Sequence, residues 1–223
     1  MSKPWPTRLD DRPAAVVLDC DGILVDTEQS WEQAEAELFR RRGLPYGDAE
    51  RKLFLGVSVR DSAAMMAERF GGPDGTDALY EELLDTVEGL LAVETRALPG
   101  AVDLVAGLLS RGVPVAVASN SPALVVALSL ERAGLGGQFD AVVTADDVAS
   151  PKPAPDPYLL ACRLLGADPA AAVAFEDSAT GLAAAQAAGL ATVAVPTHDG
   201  HLVDDWVLPG LDHPAIGRWL AAW

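Results

Sequence analysis

Two aspartates one residue apart, Asp19 and Asp21, close a short apolar run and are followed at once by Gly22. Three further places in the chain look alike: an apolar run ends and small polar or charged residues begin. They are Ser119-Asn120-Ser121 after Val113–Ala118, Lys152 between two prolines after Ala141–Thr144, and Glu176-Asp177-Ser178 after Ala171–Phe175. Ligands of open α/β sheets bind where strands end at their carboxyl side. Four such ends offer carboxylates, small hydroxyl or amide groups and one lysine. That set suits a phosphate group and a divalent metal, and holds nothing for hydride or acyl transfer. Each piece has an ordinary reading alone: a turn, a helix cap, a surface lysine. Their joint order makes coincidence improbable.

Elements of a definite kind must position these residues. Uninterrupted apolar runs at Ala14–Leu18, Val113–Ala118, Ala141–Thr144, Ala171–Phe175 and Ala191–Val195 read as strands buried on both faces of a parallel sheet. Helix-length stretches lie between them, at Ala101–Arg111, Pro122–Ala133, Pro157–Leu165 and Ala179–Ala188. Glycines just past several ends supply left-handed caps. This alternation predicts an α/β, Rossmann-like parallel-sheet core. Residues 27–95 differ in texture. Their helical patterns at Trp31–Arg42, Asp48–Leu53, Ser58–Phe70 and Thr76–Leu91 predict an inserted all-helical domain, with the core formed by residues 1–26 and 96–223.

Composition excludes several classes. The 223 residues carry a formal net charge of −17, which repels nucleic acid and anionic lipid, and the trio Arg40-Arg41-Arg42 reads as a solvated helix end. No apolar run reaches the roughly 18 residues of a membrane helix, and Met1–Arg12 has no signal-like apolar stretch, so a cytoplasmic monomer is expected. Cys20 and Cys162 are too few for a disulfide framework. His198, His201 and His213 lack zinc-site spacing. Trp206, Trp219 and Trp223 read as packing residues.

The motifs VVLDCDGILVDTE, VAVASNS, SPKPAPDPY and AFEDSATGLAAAQAAG resemble, in order, the four motifs of haloacid dehalogenase superfamily phosphohydrolases of the helical-cap branch. The segment LGVSVRDS is similar to the β-phosphoglucomutase-like subgroup. The resemblance implies that Asp19 is the nucleophile that becomes an aspartyl phosphate, with Asp21 the general acid and base. It also implies Mg²⁺ held by the Asp19 carboxylate, the Asp21 carbonyl and Asp177, with Glu176 assisting directly or through water. Lys152 then balances charge, and Ser119 with the Asn120 N–H holds the phosphoryl oxygens. Asp21 favours phosphate chemistry over dehalogenation, because a halide leaves without a proton.

The substrate is expected to be a small phosphorylated metabolite, a sugar or polyol phosphate, admitted when the helical domain opens. Glu28, Trp31, Gly56, Val57, Ser58 and Arg60 are candidates to line that opening. Two other functions compete: a phosphosugar mutase and a catalytically silent binding protein. The mutases of this subgroup carry a cap histidine and an arginine after Gly-Val-Ser, where this chain has Trp31 and Val59. Arg60, one residue further, is turned about 100° on a helix. Net hydrolysis is therefore the expectation.

Overall fold

The computed structural model describes residues 12–54, 57–71, 75–196, 202 and 206–223. Five parallel strands form one sheet: β1 (Ala15–Leu18), β2 (Val115–Ala118), β3 (Ala141–Val143), β4 (Ala172–Glu176) and β5 (Ala191–Ala194). Their spatial order is β3-β2-β1-β4-β5, so the strand leading into Asp19 is central. Val16 is in register with Val115 on one side and with Val173 on the other. Every residue of β1, β2 and β4 is buried, which is why these strands read as unbroken apolar runs. The edge strand β3 is shorter, and Val142 on it is exposed.

Side chains alternate along each strand, and the two faces differ in size. Val16, Leu18, Val115, Val117, Val173 and Phe175 pack with Leu104 and Leu108 of α5 (Ala101–Ser110), Val126 and Leu130 of α6 (Ala123–Arg132), and Trp219 of α9 (Pro214–Leu220). The opposite face is mostly alanine: Ala15, Ala116, Ala118, Ala172 and Ala174. Against it lie α7 (Asp156–Leu165) and α8 (Ala179–Ala188). The small side chains leave room there for Tyr158, which is fully buried. Helix α9 went unread in the sequence, being seven residues long with a glycine inside it.

Residues Glu28–Arg41 (α1), Asp48–Phe54 (α2), Val59–Phe70 (α3) and Thr76–Glu94 (α4) enclose a separate apolar cluster built on Leu38, Phe39, Met66, Leu79, Leu83 and Val87. Val125 of α6 joins it from the sheet side. The chain leaves the sheet at Val25–Asp26 and returns at Arg96–Leu98. The two crossings are tied by Asp26 N–H to the Arg96 carbonyl and Leu98 N–H to the Leu24 carbonyl, both 3.0 Å. Among the described residues, no helix is long and apolar enough to cross a membrane. Gly56, His198 and His201, named above, lie outside the described residues, as does the segment before Arg12.

Candidate active site

Asp19 follows β1 directly, and its backbone N–H still bonds the Phe175 carbonyl of β4 at 3.1 Å. Gly22, at φ 84°, makes the turn that follows, a left-handed conformation costly for any other residue type. Cys20, between the aspartates, points into the large-residue face of the core. Asp21 is held by three hydroxyls. Thr27 Oγ1 donates to its Oδ1 at 2.5 Å, and Ser121 Oγ and Ser119 Oγ donate to its Oδ2 at 2.8 and 3.2 Å. Ser119 is fully buried and also accepts from the Ser121 N–H, so Asn120 and Ser121 are the residues of this loop that face the cavity.

Lys152 reaches the site from the loop after β3. Its Nζ donates to Asp19 Oδ1 at 2.5 Å and to Glu176 Oε1 at 2.6 Å. The Asn120 side chain clamps this loop from both sides, accepting from the Lys152 N–H at 2.8 Å and donating to the Lys152 carbonyl at 3.1 Å. Glu176 is wholly buried and accepts five hydrogen bonds, from Lys152, the Tyr158 hydroxyl, the Asp177 and Ser178 N–H groups, and Ser178 Oγ. Gly181, on the first turn of α8, sits so close that a Cβ there would lie 1.8 Å from Glu176 Oε1. Tyr158 is a residue whose role the sequence left open. Its phenol, pushed well above its usual range by burial and by Glu176, stays protonated and donates to Glu176 at 2.6 Å.

The charges do not balance. Asp19 has three carboxylate neighbours, Asp21, Glu176 and Asp177, against the single ammonium of Lys152. Burial pushes the Asp19 carboxyl well above the usual range; Lys152 pulls it back, while the neighbouring carboxylates push further. Burial works against the Lys152 ammonium, and Asp19 and Glu176 overcome it, so the lysine stays charged. Carboxylate oxygens of Asp19, Glu176 and Asp177 lie within 4.8 Å of one another, a donor set that accommodates a hard cation.

A cavity of about 390 Å³ opens above these residues, floored by Asp19, Asp21, Lys152 and Asp177 and roofed by helices α1 to α3. A family model described as haloacid dehalogenase-like hydrolase matches residues 13–189. The chain belongs to this family. Its relatives include Protein CbbY of Rhodobacter capsulatus, 36% identical over 219 residues covering 90% of this chain and 95% of that protein. They also include the fructose-1-phosphate phosphatase YqaB of Escherichia coli, 35% identical over 186 residues, 83% of this chain and 97% of the other. A solved structure of a CbbY variant from Rhodobacter sphaeroides, in complex with xylulose-1,5-bisphosphate, superposes with a TM-score of 0.81. It is 26% identical, covering 91% of this chain and 96% of the other.

The roof of this haloacid dehalogenase-like hydrolase sorts the candidate residues. Glu28, Trp31 and Val57 line the cavity. Ser58 instead caps α3, accepting from the Asp61 N–H at 3.2 Å and donating to Asp61 Oδ2 at 2.7 Å. Arg60 lies on the outer surface, paired with Asp77 at 2.9 Å and stacked over Tyr80, so it does not reach the opening. The helical rotation of Arg60 relative to Val59 is the reason: Val59 takes the inward position. Four charged lining residues of the roof were missed: Glu32, Glu35, Arg51 and Lys52. Helix α1 begins at Glu28, earlier than the apolar pattern shows, and this sets Glu28, Glu32 and Glu35 on one face at helical spacing. That spacing was the available signal. Arg40 and Arg41 are solvated and pair with Glu37 and Glu82, whereas Arg42 is half-buried against the Phe70 ring and pairs with Glu82; His213 caps α9.

Proposed function

We propose that the chain is a Mg²⁺-dependent phosphatase that hydrolyses a small sugar or polyol monophosphate through an aspartyl phosphate on Asp19. The observation that carries this reading is the junction of Asp19, Lys152 and a hydroxyl-held Asp21 on the floor of one cavity. Residues 27–95 serve as a cap over it, and the relatives' phosphatase chemistry supports the assignment. The chain's acidity argues against a nucleic-acid partner.

A phosphate dianion entering this site meets an excess of carboxylate charge. Asp19 and Asp177, with the Asp21 carbonyl, would hold the metal; Glu176, its oxygens already occupied, assists from behind. Bound Mg²⁺ supplies the positive charge that lets a carboxylate approach a phosphate. The protein groups do the rest. An oxygen of Asp19 attacks phosphorus while Asp21 gives its proton to the departing alcohol oxygen. Asp21 then takes a proton from the water that attacks the aspartyl phosphate, and inorganic phosphate leaves. Lys152 neutralises charge on Asp19 and on the phosphoryl oxygens throughout.

Removing divalent metal with a chelator is expected to abolish phosphate release, Mg²⁺ to restore it and Ca²⁺ to fail. The longer, looser coordination of calcium misplaces nucleophile and phosphate. Full activity in chelator alone overturns the metal dependence.

A mutase remains the competing reading, since Arg51 and Lys52 bring cationic groups to the roof. Against it, Trp31 and Val59 line the cavity without charge, and Arg51 stands 3.5 Å from Glu28 and 3.7 Å from Glu32. Incubation with β-glucose 1-phosphate, following glucose 6-phosphate and free phosphate together, is expected to show net phosphate release. Fast glucose 6-phosphate formation with little free phosphate overturns the hydrolase reading in favour of the mutase.

A further inference from the structure

Glu35 lies on the third helical turn of the cavity face of α1, and only 7% of its surface is exposed. Tyr46, from the loop between α1 and α2, donates to its Oε2 at 2.5 Å. Tyr46 is itself fixed by edge-on packing against Phe39, with ring centroids 5.3 Å apart. Among the described residues, Tyr46 alone hydrogen-bonds the Glu35 side chain, which leaves Oε1 with no protein donor at the cavity wall. The same wall carries Glu28 and Glu32, with Arg51 close to both. This polar arc is set among Trp31, Phe54, Val57, Val59 and Leu83.

Hydroxyl groups both donate and accept, so a run of them matches alternating carboxylates and a guanidinium. A phosphate dianion only accepts, and here it would face three carboxylates, which outnumber the two cations Arg51 and Lys52. An ammonium group only donates, and would be opposed by Arg51. We propose, building on the phosphatase reading above, that Glu35 is a specificity-determining residue that accepts a hydroxyl of an uncharged, polyhydroxylated leaving group, with Tyr46 positioning it. The wall thereby selects monophosphates over bisphosphates. Supporting this role, burial pushes the Glu35 carboxyl up to about 7, against the Tyr46 bond and with Glu32 adding to the push.

The test compares wild type, Glu35→Gln and Tyr46→Phe at pH 8, where the Glu35 carboxylate predominates. Steady-state kcat/KM is measured for a panel of hexose, hexitol and pentose monophosphates, for the corresponding bisphosphates, and for p-nitrophenyl phosphate, whose leaving group has no aliphatic hydroxyl. In wild type, the best monophosphate is expected to exceed both its bisphosphate and p-nitrophenyl phosphate. In Glu35→Gln the ratio of that monophosphate to p-nitrophenyl phosphate should fall about tenfold, the worth of a charge-assisted hydrogen bond. The bisphosphate-to-monophosphate ratio should rise at the same time, which general damage to the fold does not produce. Tyr46→Phe, which keeps the ring and loses the donor, should move both ratios the same way by a smaller factor. Ratios within twofold of wild type in both variants overturn the role of Glu35, as does a wild type that prefers bisphosphates or p-nitrophenyl phosphate. A wild type that releases phosphate from none of these compounds overturns the underlying phosphatase reading instead.

Discussion

Asp19→Asn is expected to lower kcat by about ten-thousandfold or more while leaving the protein folded, because the amide cannot form the phosphoryl bond that divides one hard displacement into two. The structure argues that stability survives the change. Lys152 keeps its second partner, Glu176, at 2.6 Å, so no buried ammonium is stranded. Burial already opposes charge on Asp19, and the substitution relieves that opposition. The melting temperature should therefore hold or rise as activity vanishes, a combination that separates lost chemistry from lost fold. Turnover within tenfold of wild type would remove Asp19 as nucleophile.

Gly181→Ala should behave against its ordinary sign. In a helix, alanine is favoured over glycine by about 1 kcal/mol. Here the new Cβ would sit 1.8 Å from one carboxylate oxygen of Glu176 and 2.2 Å from the other. The carboxylate cannot step aside. It is enclosed at zero exposure and held by Lys152, Tyr158 and the start of α8. Either α8 shifts or the Lys152–Glu176 bond breaks, and disrupting a buried ion pair costs about 3–5 kcal/mol. The expected result is an unfolding free energy lower by about 3 kcal/mol in urea titration. Activity should fall by about a hundredfold as Lys152 loses its seat. A variant as stable and active as the parent would show that the carboxylate has room the structure does not give it.

These two positions differ in how far the sequence disclosed them. Asp19, Asp21, Lys152 and Asp177 stand immediately beyond apolar strands, and strand ends are legible because a buried parallel strand must be apolar throughout. The partnership of Gly181 with Glu176 depends on how α8 packs across β4, which no local pattern records. The helical roof was legible as helices, since Leu79, Leu83 and Val87 repeat at one face of α4 and are buried together. Which residues turn toward the cavity was legible only in part, since Glu28, Trp31 and Val57 line it as expected. Arg60 and Val59 are neighbours, yet one is an exposed partner of Asp77 and the other lines the cavity. Tyr46 was invisible for a similar reason, being a loop residue whose value lies in reaching Glu35 across α1. Helix α9 is short, and short elements give periodicity little to work on.

The central place of β1 has a consequence for how the chain comes together. It is the first strand made, yet its two neighbours in the sheet are β2 and β4, with the whole helical block intervening before either appears. A strand as apolar as Ala15–Leu18 therefore waits, without a lateral partner, until Val115–Ala118 and then Ala172–Glu176 have been synthesised. Contacts so distant along the chain are slow to form, and unpaired apolar strands invite association with other chains. The compact helices α1–α4, which carry their own apolar cluster, can condense during that wait and shorten the loop that must be closed. The cluster of Asp19, Lys152, Glu176 and Asp177 is thus a late feature of the growing polypeptide, complete only once β4 has been made.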